Sequence, residues 1–327
     1  MTAIDLYNRR FVLFSGKGGV GKTTMASSFA LSCARRGDKT LLLELDVKDK
    51  ASSLFGATDI DFEIREIEDN LYASNVTPWE AMKEYALMVL KIKLIYKAVF
   101  ENRVVRNFLR VIPGLNELVM LGKAYYHATE TDDTGRPVWD KVVVDAPATG
   151  HGIFFLKIPA VITDVISSGL MYDEAERILE LLQDPSRTGI VLVTLAEDMP
   201  VNETLMLSDV LREEMKLPVA CVVANAIYRP LFDDTQSQWI DVARDEVEGD
   251  DESMVSGFLE AARFRNDRVG MQQDYLQRLR TDGDWPLIEI PHYFFDRMSF
   301  AIIDKIAEDL HQALKIESSG IESTGTS

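Results

Sequence analysis

The nine residues Gly16-Lys17-Gly18-Gly19-Val20-Gly21-Lys22-Thr23-Thr24 leave this chain few folds to choose from. They follow the apolar run Phe11-Val12-Leu13-Phe14 and precede Met25-Ala26-Ser27-Ser28-Phe29-Ala30-Leu31, which has helical composition. Strand, glycine loop and helix in that order fit G-x-x-x-x-G-K-[ST], with an extra lysine directly after the first glycine. The underlying physics is electrostatic. Successive backbone N–H groups and a helix N-terminus surround anionic oxygens, and glycines let the backbone approach them closely. Gly16 to Thr24 are therefore expected to cradle a polyphosphate, with Lys22 reaching the β and γ phosphates and the Thr23 hydroxyl holding Mg²⁺. ATP and Mg²⁺ are the expected cofactors.

Other apolar runs extend the pattern. Leu41-Leu42-Leu43-Glu44-Leu45-Asp46, Leu71 to Asn75, Lys141-Val142-Val143-Val144-Asp145, Ile190 to Thr194, Val219 to Asn225 and Leu287 to Ile290 read as strands, separated by helical segments. Continuous apolar strands imply a mostly parallel sheet covered by helices on both faces, an α/β fold. Ligands in such sheets sit beyond the carboxyl ends of the strands, where Asp46, Asp145 and Asn225 fall. A helical insertion is expected at about 78–127, with a greasy section from Tyr85 to Phe100. Further helical elements are expected at about 152–182. Either greasy region reads as core or as an apolar groove. The acidic stretch from Asp233 to Asp267 reads as a solvated loop between helices. Residues 1–316 form one domain in this reading, and 317–327 a disordered tail.

Charge and cysteine content narrow the function. In 327 residues, 35 Lys and Arg face 53 Asp and Glu, a formal charge of -18. That balance opposes non-specific attraction to nucleic acid or to an anionic bilayer, and no nucleic-acid partner is expected. Cys33 and Cys221 are the only cysteines. They cannot make a four-thiolate zinc site within one chain, and both read as buried thiols in a reducing compartment. Residues 1–10 are too polar for a signal peptide, and no apolar run approaches the length of a membrane span. A cytoplasmic protein is expected, brought to a membrane only through a partner.

Several residues carry candidate chemistry. Asp145, at a strand end before Ala146-Pro147-Ala148-Thr149-Gly150-His151, suits an acid that holds Mg²⁺ through water, or one that caps the following turn. Asp46 could orient the attacking water or cap a helix. Lys17 could cross to a partner subunit's nucleotide as an arginine finger does, or face solvent. Asn225 offers an amide to an adenine edge, and Pro291 could shape the same pocket. His151 reads as a hydrogen-bonding residue of the loop.

Taken together these motifs resemble the deviant P-loop ATPases that include the arsenite-pump ATPase and the tail-anchored-protein targeting ATPase, the ArsA family within the MinD-like class. Lys17 to Thr24 match the signature loop. Asp46 with Ser52-Ser53-Leu54-Phe55-Gly56 resembles the first switch, Ile112-Pro113-Gly114-Leu115-Asn116-Glu117 the exit from the helical insertion, and Asp145 to His151 the second switch. The resemblance implies Lys17 as an intermonomer lysine, Lys22 as the phosphate lysine, Thr23 as a Mg²⁺ ligand, Asp46 as the water-activating acid and Asn225 as the adenine asparagine. It further implies a homodimer that opens and closes with ATP, and a hydrophobic helix client or membrane-protein partner. Three departures stand out. Asp46 is followed by Val47-Lys48-Asp49 instead of proline, alanine and histidine. The zinc-binding cysteine pair is absent, so no structural zinc is expected, and the metalloid-binding cysteines are absent too. The expected function is a Mg²⁺-dependent ATPase switch. The alternatives are a non-enzymatic ATP-sensing scaffold and, further off, a metalloid pump-driving ATPase.

Overall fold

Strand β1, Phe11–Ser15, is buried at every residue and occupies the centre of the sheet. In the computed structural model, which describes residues 6–46, 52–56, 60–90, 112–147, 152–247 and 254–319, eight strands form one sheet. The other strands are β2 (Thr40–Leu45), β3 (Arg65–Glu68), β4 (Leu71–Val76), β5 (Lys141–Asp145), β6 (Thr188–Leu195), β7 (Val219–Ile227) and β8 (Leu287–Pro291). Their order across the sheet is β3-β4-β2-β5-β1-β6-β7-β8. All neighbours are parallel except β3, which runs antiparallel along the edge beside β4. This is the P-loop α/β architecture expected from the run of apolar strands. β3 had no such signal. Its sequence, Arg-Glu-Ile-Glu, is polar and half-exposed, because an edge strand buries little.

Period-2 alternation divides the strand side chains between two cores. Val12, Phe14, Leu42 and Val143 pack under α1 (Lys22–Arg35) and the C-terminal helix Phe300–Ser319. Leu13, Leu43, Val144 and Leu192 face the opposite layer. That layer contains α3 (Pro78–Leu90), α4 (Leu115–Thr129), α5 (Gly152–Val165), α6 (Leu170–Gln183) and α7 (Asp198–Asp209), α2 being the single turn Ser52–Phe55. In α6 the inward face is Ala175, Ile178, Leu181 and Leu182, spaced for one side of a helix. Cys33 and Cys221 are both buried free thiols. The insertion is helical at both ends, but residues 91–111 lie outside the described residues, and with them most of the greasy stretch to Phe100.

Two expectations need correction. Where it is described, the acidic stretch from Asp233, expected as a loop, is helical from Asp234, residues 248–253 lying outside the described residues. It contains α8 (Asp234–Val247) and the start of α9 (Met254–Asp282), because Ile240, Leu259 and Ala262 give the two helices a small common core. The C-terminal helix, α10 (Phe300–Ser319), runs three residues into the tail assigned to 317–327; 320–327 lie outside the described residues. Among the described residues, no helix is long and apolar enough to cross a membrane.

Candidate nucleotide site

Three glycines with left-handed backbone shape the turn from β1 into α1: Gly16 (φ 143°), Gly19 (φ 85°) and Gly21 (φ 97°). They do different jobs. A Cβ on Gly16 would collide with the backbone carbonyl oxygen of Val193 in β6, so the loop can lie against the sheet only because that residue has no side chain. A Cβ on Gly21 would collide with the Asn225 amide. Gly19 has open space around it, and Gly18 beside it is exposed. Val20 is buried in the core under α1 and holds the loop down. Gly21 occupies the N-cap of α1 and supplies no side-chain acceptor, so the first amides of the helix are not capped by its side chain. Thr24 lies in that first turn, half-buried.

The charged groups converge here. The Thr23 hydroxyl donates to Asp145 Oδ2 at 2.6 Å, joining the helix start to the end of β5. Asp145 is 1% exposed. Its second oxygen, Oδ1, is buried with no hydrogen-bond partner. Burial pushes its carboxyl up to about 6, opposed by the Thr23 hydrogen bond and the Lys22 charge. Lys22 is also buried, and burial lowers its pKa against the raising effect of Asp145. Its Nζ donates to the Lys17 carbonyl oxygen at 3.0 Å, so the ammonium folds back over its own loop.

Asn225, at the end of β7, closes the other side. Its Nδ2 donates to the Val20 carbonyl oxygen at 2.9 Å, and its Oδ1 accepts from the Ala226 N–H at 2.8 Å. It therefore positions the loop. Ala226 takes a left-handed φ of 59°, and the strand end is tied to α9 by Gln272, which donates to the Ala226 carbonyl oxygen and accepts from the Tyr228 N–H.

Other expected residues are not drawn into this cluster. Asp46 follows β2, separated from β1 by β5, and is exposed with a left-handed φ of 51°. Its N–H donates to the Val76 carbonyl oxygen, on the side away from the loop. Val47 to Asp49, and Thr149 to His151, lie outside the described residues. Pro291 ends β8, opposite Ile227 and three strands from β1. Lys17 is half-buried, and its Nζ lies 2.6 Å from Glu203 Oε1 on α7.

Two residues escaped the sequence reading. Glu203 carried no signal, since 186 positions separate it from Lys17. Glu44 did carry one, a carboxylate inside an otherwise apolar strand. It is fully buried and in register with Asp145 on β5 and Asn75 on β4, so the three share one sheet face. Among the described residues, no three His, Cys, Asp or Glu side chains form a metal cage. The donor set fits a hydrated magnesium instead. It has one hydroxyl and one buried carboxylate with an unsatisfied oxygen, and Mg²⁺ keeps several of its own waters.

Comparison with known proteins bears on the family of the chain. The family model described as anion-transporting ATPase (ArsA ATPase) matches residues 9–171. ATPase BagA of Mycobacterium tuberculosis is 31% identical over 223 residues, 66% of this chain and 64% of its own. A Halobacterium salinarum protein named "Putative arsenical pump-driving ATPase" is 28% identical over 242 residues, 68% of this chain and 36% of its own. A Chlorobaculum tepidum protein of the same name is 26% identical over 233 residues, 60% of this chain and 56% of its own. This chain thus spans at most 64% of the length of these relatives.

Proposed function

Because the chain belongs to the ArsA family of P-loop ATPases, we propose that it binds and hydrolyses ATP with Mg²⁺, and does so as a homodimeric switch. The observation that carries this reading is the Thr23–Asp145 bond, with the Lys22 ammonium folded over the same loop. Loop amides from Gly16 to Thr24 and the Lys22 ammonium bind the phosphates. The Thr23 hydroxyl and Asp145, acting through water, hold Mg²⁺. Held there, the metal would supply positive charge against the negative charge that develops on the phosphates. Lys22 leaves the Lys17 carbonyl and turns to the β and γ phosphates. Lys17 leaves Glu203 and reaches the neighbouring subunit's nucleotide, where it stabilises the transition state. Asn225 holds the loop and presents its remaining amide capacity to the adenine; Pro291 shapes the far side of that pocket. Asp46 orients the attacking water.

The helical layer is the output of the switch, acting on a hydrophobic helix client or a membrane-protein partner in a cytoplasmic setting. Its support is a cleft of about 190 Å³ between α3 and α4, lined by Ala81, Tyr85, Val119, Gly122 and Tyr126 together with the ion pair Glu84–Lys123. Metalloid transport is not proposed, since within this chain the two cysteines are buried and on different elements.

Phosphate release from Mg-ATP by the purified chain tests the reading. Activity that requires Mg²⁺ and disappears in Lys22→Ala supports it; no nucleotide binding by the folded wild type overturns it. A second reading, ATP sensing without turnover, is favoured by the exposed position of Asp46 away from the loop. Asp46→Asn separates the two. Retained binding with slowed hydrolysis supports the enzyme, and unchanged hydrolysis removes Asp46 from the scheme.

A further inference from the structure

The hairpin of α8 and the first half of α9 has no part in the function proposed above. Ile240 on α8 packs against Leu259 and Ala262 on α9, with Phe232 and Ala243 at the margin. α9 is anchored to the main body from Arg265 onward: Arg265 donates to the Arg229 carbonyl oxygen, Arg268 pairs with Glu197, and Gln272, Leu276 and Leu279 are buried. Beside the hairpin's own core lies an apolar face that nothing in the chain covers among the described residues. Trp239 is 74% exposed, Val242 60%, Met254 92%, Val255 59% and Phe258 62%. Helix geometry puts them together. Trp239 and Val242 each precede an interface residue of α8, and Phe258 precedes the interface residue Leu259 of α9. In an antiparallel pair, residues one position before the seam project to the same side. A cavity of about 400 Å³ opens beside Trp239 and Val242. Large apolar side chains clustered at this exposure mark an interaction surface.

Charge selects the occupant. Over the whole hairpin, residues 233–268, the chain carries eleven Asp and Glu against four Arg. A second hairpin of the same sign would be repelled by that field, as would an anionic bilayer. The hairpin presents a groove between two helices and no free strand edge, which suits a third helix packing against the pair. We propose that the α8–α9 hairpin docks a basic amphipathic helix of a partner protein, with Trp239 and Phe258 as its apolar anchors.

The test uses the full chain and defined probes. A fluorescent Leu/Lys helix of roughly 18 residues, long enough to fold on contact, is titrated by anisotropy beside a Leu/Glu helix and a Lys/Ser peptide without an apolar stripe. The expected result is binding of the Leu/Lys helix alone, weakening with salt, and a loss of about tenfold or more in the double variant Trp239→Ser, Phe258→Ser, which leaves the net charge unchanged. Both positions are exposed, so the variant should fold, which an unchanged urea-unfolding midpoint would verify. Equal binding of the Lys/Ser peptide, or unchanged affinity in the variant, reduces the effect to diffuse charge and overturns the proposal. Equal binding of the Leu/Glu helix overturns the charge argument. Conversion of a dimer to a monomer by the variant would show that a second copy covers this face, and would overturn the proposal as well. None of these readouts depends on ATP turnover, so failure here and failure of the ATPase reading are distinguishable.

Discussion

Asp145 is an acid kept in a position that opposes its ionisation. Burial raises its pKa from 3.8 to about 6, more than Thr23 and Lys22 can reverse. The sign of the linkage follows. Between those two values the folded chain binds a proton more tightly than the unfolded chain, so stability falls as pH rises through the window, and the full penalty is present at pH 7. A shift of that size corresponds to about 3 kcal/mol. Asp145→Asn keeps an oxygen to accept from Thr23 and removes the charge, but deprives Lys22 of its neighbour. The expected result is a gain of about 1–3 kcal/mol in unliganded stability at pH 7, shrinking toward pH 5, measured by urea unfolding at both pH values. The same variant should lose the stabilisation that Mg-ATP gives the wild type. A variant less stable at pH 7 than the parent would mean that the Lys22 pairing outweighs desolvation. The expected gain in Asp145→Asn would show that this carboxylate is held at a cost in stability.

At the scale of elements, the glycine loop is held by contacts that differ along its length. Gly16→Ala forces a side chain onto the Val193 carbonyl in a left-handed conformation, and a loss of about 3 kcal/mol or more is expected. Gly19→Ala meets nothing and should cost only its backbone strain, about 1 kcal/mol. Chemical denaturation of the pair tests this ordering, and equal losses would mean that the loop does not bear on β6 as described. The same contrast explains what could be read from residues alone. β1, β2, β5, β6 and β7 were legible because buried parallel strands write continuous apolar runs. So was the Lys22–Thr23–Asp145 cluster, since loop and strand end each carry a local signature. β3 was not legible, because an edge strand need not be apolar. α8 and α9 were hidden by their acids, although Ile240, Ala243, Leu259 and Ala262 held the helical spacing. The Asn225–Val20 clamp and the Lys17–Glu203 pair join residues about two hundred positions apart, and no local pattern encodes such contacts.

For the whole molecule, the proposed dimeric switch raises the question of how a subunit would avoid reacting before it has a partner. Lys17 is the residue proposed to cross between subunits, yet here it pairs with Glu203 of its own chain at 2.6 Å. The two side chains are 26% and 44% exposed, so the pair is solvent-screened and contributes at most about 1 kcal/mol. That would be too weak to hold the ammonium against a triphosphate, whose multiple charge in the proposed interface would attract it more strongly than one exposed carboxylate. It is enough to bias the free subunit toward a withdrawn lysine, since 1 kcal/mol is a factor of about five in population. Glu203→Gln should therefore leave the unfolding midpoint nearly unchanged. It should lower the protein concentration needed for Mg-ATP-dependent dimerisation by up to about fivefold, as read by sedimentation. Lys17→Ala should bind ATP and lose turnover. The double variant Lys17→Ala, Glu203→Gln should behave as Lys17→Ala alone, because the carboxylate acts only through the lysine. If Glu203→Gln shifted dimerisation equally in the Lys17→Ala background, the effect would be one of surface charge, and the pair would have no role in timing closure.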